Sequence, residues 1–98
     1  MVTRLKKVLS THRAEILRLA SLHGARNVRL FGSVARGEDD DKSDIDLLVD
    51  MEPGRSLFDL GGLNHDLEAL LLRRVDLVTE RSLRDRFRER VLREAQPL

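Results

Sequence analysis

Apolar residues recur along the 98-residue chain with two periods, one helical and one strand-like. Between Val2 and Ala25, the positions Ile16, Leu19, Ala20 and Leu22 keep helical spacing. A break is expected at Ser10–Thr11 and a stop at Gly24. Asn27 to Phe31 (NVRLF) reads as a short strand ending at Gly32, and the polar, glycine-led stretch from Gly37 to Ser43 as a loop. Ile45 to Met51 (IDLLVDM) reads as a second strand, punctuated by Pro53–Gly54. Ser56 and Asp59 form an S-x-x-D capping box that opens a helix carrying Leu57, Leu60, Leu63, Leu67, Leu70 and Leu71. Within it, Gly61–Gly62 costs roughly 1 kcal/mol per glycine relative to Ala, which implies a close neighbour there. Val75 to Thr79 (VDLVT) is a third strand. Ser82 and Asp85 suggest a second capping box before a last helix, with Leu83, Phe87, Val91 and Ala95 at i, i+4 spacing.

The order is α-β-β-α-β-α. A tight polar connection between the first two strands favours an antiparallel pair, and the helix between the second and third permits a parallel one. The fold class predicted is α/β of the α+β type, a small mixed sheet of about three strands packed by helices. The length supports one domain over residues 1–98, able to bury roughly 60–65% of its unfolded surface.

Composition narrows the chemistry. Hydrophobic residues make up 41%, with 19 Leu but only three aromatics, all Phe, so the core must be aliphatic. Charged residues reach 36%, yet 18 basic against 17 acidic leave a net charge of +1, which predicts no strong pull toward nucleic acid or membrane. Having no cysteine excludes disulfides, thiolate zinc sites and thiol nucleophiles. No apolar run approaches the ~18 residues that span a bilayer, and MVTRLKKVLS does not read as a signal peptide, so a cytoplasmic protein is expected.

The richest segment is Leu30 to Val49, LFGSVARGEDDDKSDIDLLV. Two residues apart in a strand, Asp44 and Asp46 share one face, with Ile45 and Leu47 on the other. The apolar residues around them suggest a strand buried on both sides. Carboxylates at the head of such a strand need a cation, and hard Mg²⁺ with oxygen ligands suits them. Asp76, between Val75 and Leu77, offers a third acid. If the two strands are neighbours, the trio can converge on a two-metal site, with ions ~3.5–4 Å apart clamping an in-line phosphoryl displacement. Gly32 allows close backbone approach, and Ser33 supplies a hydroxyl and an N–H. A short helical turn over Val34 to Arg36 would aim its start at phosphate oxygens. Arg36 supplies charge there or braces the loop. Ten residues separate Ser33 from Asp44, enough to fold the cradle back beside the acids.

Other polar residues read more plainly. Asp39, Asp40 and Asp41 form a solvated loop, since Asp44 stands where a calcium loop of the EF-hand kind needs Gly. His12, His23 and His65 lack ligand spacing and have surface or packing roles. Asp50 and Glu52 read as exposed. The arginines of Arg81 to Arg93 alternate with Asp85, Glu89 and Glu94 and read as a solvated ion-pair face.

Gly32-Ser33, ten residues, then Asp44-Ile45-Asp46 match the G-S-x10-D-x-D signature of minimal nucleotidyltransferases. These are the small stand-alone members of the DNA polymerase β-like nucleotidyltransferase superfamily. FGSVARGEDDDKSDIDLLV, EPGRSLFDLGGL and RRVDLVTERSL resemble the family along nearly the whole chain. The resemblance implies the nucleotidyltransferase fold and an antitoxin encoded beside a HEPN-domain ribonuclease toxin. It implies transfer of AMP from ATP to a tyrosine hydroxyl of that toxin. By the same resemblance Gly32 and Ser33 hold the nucleotide's phosphates. Asp44 and Asp46 are the metal pair, and Asp76 is the third acid, sharing a metal and helping deprotonate the attacking hydroxyl. Partners implied are ATP, Mg²⁺ and the toxin, with self-association or assembly with the toxin compatible; neither nucleic acid nor membrane is expected as a direct partner. The rival reading is a non-catalytic module that neutralises its partner by covering it. A small-molecule nucleotidyltransferase is a third, and it would need an acceptor pocket completed by another chain.

Overall fold

The computed structural model describes residues 3–98. The first helical stretch divides into α1 (Arg4–Thr11) and α2 (Arg13–Leu22), with the break at His12, one residue beyond the expected Ser10–Thr11. Val2 lies outside the described residues. Thr3 starts α1 by accepting the Lys6 N–H on its hydroxyl. Gly24 ends α2 at φ +79°, a left-handed backbone that glycine enters without a Cβ penalty. The chain continues through β1 (Ala25–Phe31), α3 (Gly32–Arg36), β2 (Ile45–Met51), α4 (Leu57–Leu71) and β3 (Val75–Thr79). After a 3₁₀ turn (Glu80–Ser82) come α5 (Asp85–Glu94) and β4 (Gln96–Pro97).

The sheet order is β3-β2-β1-β4. β1 and β2 are antiparallel, as their short connection favours, and β2 and β3 parallel, as the helix between them permits. The fourth strand departs from the expected three. Gln96 pairs with Leu30 and Pro97 with Arg29, a pairing too short to leave a hydrophobic period in the sequence.

β2 is the spine of the core, with Ile45, Leu47, Leu48 and Val49 all at most 1% exposed. Alternation divides them between two layers. Ile45, Leu47 and Val49 pack with Leu9, Ile16, Leu63 and Leu67 from α1, α2 and α4. Leu48 packs on the other side with Phe31 and with Val91 of α5. Helices α1, α2 and α4 thus cover one face, and α5 covers part of the other.

The capping box of α4 forms as expected: Ser56 Oγ accepts from Phe58 N–H at 3.2 Å, and Asp59 accepts from Ser56 N–H at 2.9 Å. Of the glycine pair only Gly62 has the close neighbour, since a Cβ there would lie 3.0 Å from the His23 ring; at Gly61 nothing lies within 4 Å. His23 Nε2 also meets Asp66 at 2.7 Å, a packing and pairing role.

Three expectations for the C-terminal third need correction. Ser82 does not cap α5; its hydroxyl accepts from Thr79 N–H and donates to Thr79 O, because a turn three residues long outcompetes a more distant helix end. The N-cap of α5 is Arg84, with no side-chain cap bond. Phe87 is 45% exposed and lies beneath the Arg86 guanidinium instead of in the core. Among the described residues no ion pair forms within Arg81 to Arg93: Glu94 turns inward to Arg36, and Arg88 donates to Glu80 O.

Replacing Ser56 by Ala removes the hydroxyl that accepts the Phe58 N–H and leaves the backbone bond to Asp59 in place. The expected loss is about 1 kcal/mol, read as a drop of about 4–8 °C in melting temperature.

Candidate active site

Strand pairing decides where the acids stand. In the parallel register of β2 and β3, Asp46 lies opposite Asp76. Opposed residues of neighbouring strands point to the same side, so Asp76 shares the face of Asp46. Asp44, two residues before Asp46, leads into β2 on that same side. It is the side on which Leu48 meets α5, opposite the layer formed by α1, α2 and α4. Asp44 and Asp46 are partly buried, and Asp76 is exposed.

The Gly32–Ser33 elbow arrives from the other neighbour of β2. Phe31, the last residue of β1, pairs with Asp46 and delivers Gly32 against its carboxylate. Gly32 turns at φ +76°, and a Cβ there would collide with Asp46 Oδ2. Only glycine therefore satisfies both the backbone angle and the contact. The short helix expected over Val34 to Arg36 begins at Gly32, and Gly37 ends it in the left-handed region at φ 72°.

Electrostatics single out Asp46. Burial, then the nearby charges of Asp76 and Asp44, push its carboxyl from the ordinary 3.8 up to about 6, with Arg36 opposing and Glu94 adding to the rise. A carboxyl so placed gains from any positive charge brought among the three. The donor set is all oxygen, which suits a hard divalent cation. Among the described residues no three His, Asp or Glu side chains already converge as a finished ligand set. The register sets Asp46 and Asp76 side by side, and their like charge opposes closer approach.

Arg36 braces the loop. Its Nη1 donates to Glu94 Oε1 at 2.5 Å and its Nε to Glu38 Oε2 at 2.9 Å, and these bonds, Glu94 first, raise its pKa above the ordinary value. Glu94, at the end of α5, also accepts the Gly32 N–H on Oε2 at 2.8 Å. Burial pushes the Glu94 carboxyl up, but the bonds from Arg36 and Gly32 outweigh it and hold the group below its usual range. Sequence spacing gave no sign of Glu94, which lies 62 residues from Gly32.

The remaining acids stand apart from this cluster. The Asp40 carboxylate accepts from Lys42 N–H at 2.8 Å and from Ser43 Oγ at 3.2 Å, which closes the loop on itself. Arg73 ties that loop down by donating to Ser43 O and Asp40 O. Asp50 pairs with Arg29 at 2.8 Å. A depression of about 780 Å³ lies at the far ends of β2 and β3, between Val49–Leu57 and Thr79–Ser82, and holds none of the three candidate acids.

The family model described as a nucleotidyltransferase domain matches residues 9–98. The chain belongs to that family. This nucleotidyltransferase is 42% identical over 90 residues to the protein adenylyltransferase MntA of Thermococcus cleftensis, covering 92% of this chain and 88% of that one. A solved structure provisionally described as a minimal nucleotidyltransferase superposes with a TM-score of 0.85 at 54% identity over 94% of each chain. A crystal structure described as a toxin-antitoxin with AMP-PNP matches with a TM-score of 0.72 and 26% identity, over 86% of this chain and 69% of that one. The nucleotidyltransferase is thus of the minimal type, and its mixed sheet with flanking helices is the family's fold.

The raised pKa carries a sign for stability. Asp46 holds its proton more tightly folded than unfolded, so stability falls as pH rises from 3.8 toward about 6 and stays lowered above that. Asp46→Asn removes this burden. In chelator, with solvent screening of the partly exposed carboxyl allowed for, the variant should be more stable than the parent by about 1–2 kcal/mol at pH 8, and the two should melt together near pH 4.

Proposed function

We propose that this nucleotidyltransferase is a cytoplasmic antitoxin, acting as a single domain over residues 1–98, that transfers AMP from ATP to a tyrosine hydroxyl of a HEPN-domain ribonuclease toxin. The observation that carries the reading is the in-register Asp46–Asp76 pair set against the Gly32 elbow. Support for the partner and the nucleotide comes from relatives, one named a protein adenylyltransferase and one a toxin-antitoxin with an ATP analogue.

In this reading Gly32 and Ser33 receive the triphosphate, with Ser33 offering its hydroxyl and N–H while Arg36 braces the loop behind them. Asp44, Asp46 and Asp76 would hold Mg²⁺, which supplies charge neutralisation for the phosphates and lowers the pKa of the acceptor hydroxyl. Asp76, the exposed member, faces the incoming toxin and takes the tyrosine proton on its carboxylate. The phenolic oxygen attacks the α-phosphorus, one P–O bond forms, and the bond to pyrophosphate breaks. The protein contributes orientation and fixed charge, the main requirements of phosphoryl-type transfer.

Incubating the protein with its toxin, ATP and Mg²⁺ should add the mass of AMP to a toxin tyrosine. Asp44→Asn and Asp46→Asn should each lower transfer more than about 100-fold, since even residues supporting metal ligands cost 10–100-fold when removed. Removal of Mg²⁺ with a chelator should stop the reaction. Transfer retained in the double Asn variant would overturn the assignment. A double variant that still neutralises the toxin without modifying it would make covering, not chemistry, the means of neutralisation.

A further inference from the structure

We propose that Glu94 is a positioning residue for nucleotide binding: by clamping both ends of α3 it holds the Gly32–Ser33 elbow against β2. The inference rests on the reading of that elbow as the phosphate cradle.

A helix of five residues leaves its first N–H groups without partners inside the helix. Glu94 supplies the acceptor for the first of them, Gly32 N–H, with one oxygen. Its other oxygen takes Arg36, four residues later on the same side of α3. One carboxylate thus bridges the start and the end of the elbow. Its side chain is 16% exposed; the bond to Gly32 N–H is partly buried, and the bond to Arg36 lies at the surface, where it is charge-assisted.

Glu94 is itself held from two sides. Three residues before it, Val91 is buried against Phe31 and Leu48. Two residues after it, Gln96 joins the sheet beside β1. The carboxylate is therefore fixed relative to the strands that carry Asp46, and the elbow is fixed through it. With Gly32 N–H already engaged, Ser33 is left to present donors to phosphate. Charge agrees with this division, because Arg36 neutralises Glu94 where a triphosphate must approach.

The test compares Glu94→Ala and Glu94→Gln with the parent, using a non-hydrolysable ATP analogue with Mg²⁺ in titration calorimetry and amide hydrogen exchange over residues 32–36. Glu94→Ala should bind the nucleotide about 10-fold or more weakly and raise KM for ATP more than it lowers kcat. Its residues 32–36 should exchange faster while β2 stays protected. Glu94→Gln keeps one oxygen for Gly32 N–H but turns an amide NH2 toward Arg36, so it should fall between the parent and Glu94→Ala in both affinity and protection. Should the Ala variant fail to fold, the Gln variant and the exchange of Gly32 decide alone: unchanged exchange there together with unchanged affinity overturns the proposal. Tighter nucleotide binding in either variant would also overturn it, showing that Glu94 stands in the place of phosphate. If the parent itself binds no nucleotide, the adenylyl-transfer reading falls, and the clamp is judged on exchange alone.

Discussion

Everything about the acid cluster depends on the parallel register between β2 and β3. A slip of one residue would send Asp76 to the helix-covered layer and bring Val75 or Leu77 to the α5 face. The register is fixed by the residues between the acids. Ile45, Leu47 and Val49 are buried on one side and Leu48 on the other, so any shift would expose several aliphatic side chains at roughly 1.5–3 kcal/mol each. A strand that must bury almost every residue is thereby a stiff mount for the two or three that cannot be buried. Carboxylate repulsion at its head is tolerated because packing further along holds the strand in place.

The elbow follows from the same arrangement. β1 pairs antiparallel with β2, so it ends where β2 begins, and its terminus lands beside Asp46. The polar connection that permits this pairing runs out through α3 and the self-closed Asp40 turn, held by Arg73. Loop residues that read as mere solvated charge therefore have a mechanical part: Arg73 donates to two backbone carbonyls and fixes the loop's path back to Asp44.

What the sequence discloses and what it conceals divide by distance along the chain. The bounds of β2 and β3, the shared face of Asp44 and Asp46, and the Ser56 box rest on residues one to four apart, where period and capping chemistry operate. Asp76 could be set beside Asp46 because the helix between their strands permits a parallel neighbour, and the structure supplies the pairing. Glu94, Gln96 and Pro97 left no such trace. Their partners are Gly32, Leu30 and Arg29, more than sixty residues away, and a two-residue strand has no alternation to read. Ser82 misleads for a related reason. An S-x-x-D spacing is compatible with a helix start and with a local turn, and only the fold shows that Thr79 claims the hydroxyl.

The shortness of β4 has its own consequence. β1 is a well-formed strand whose outer side would otherwise offer a row of backbone donors and acceptors to any passing chain. Gln96 and Pro97 occupy part of that row, and Leu98 takes the Val28 carbonyl beyond them. Proline has no N–H to extend the ladder outward. The sheet is thus sealed on that side by a segment too brief to template further growth, which guards a small, leucine-rich protein against edge-to-edge aggregation.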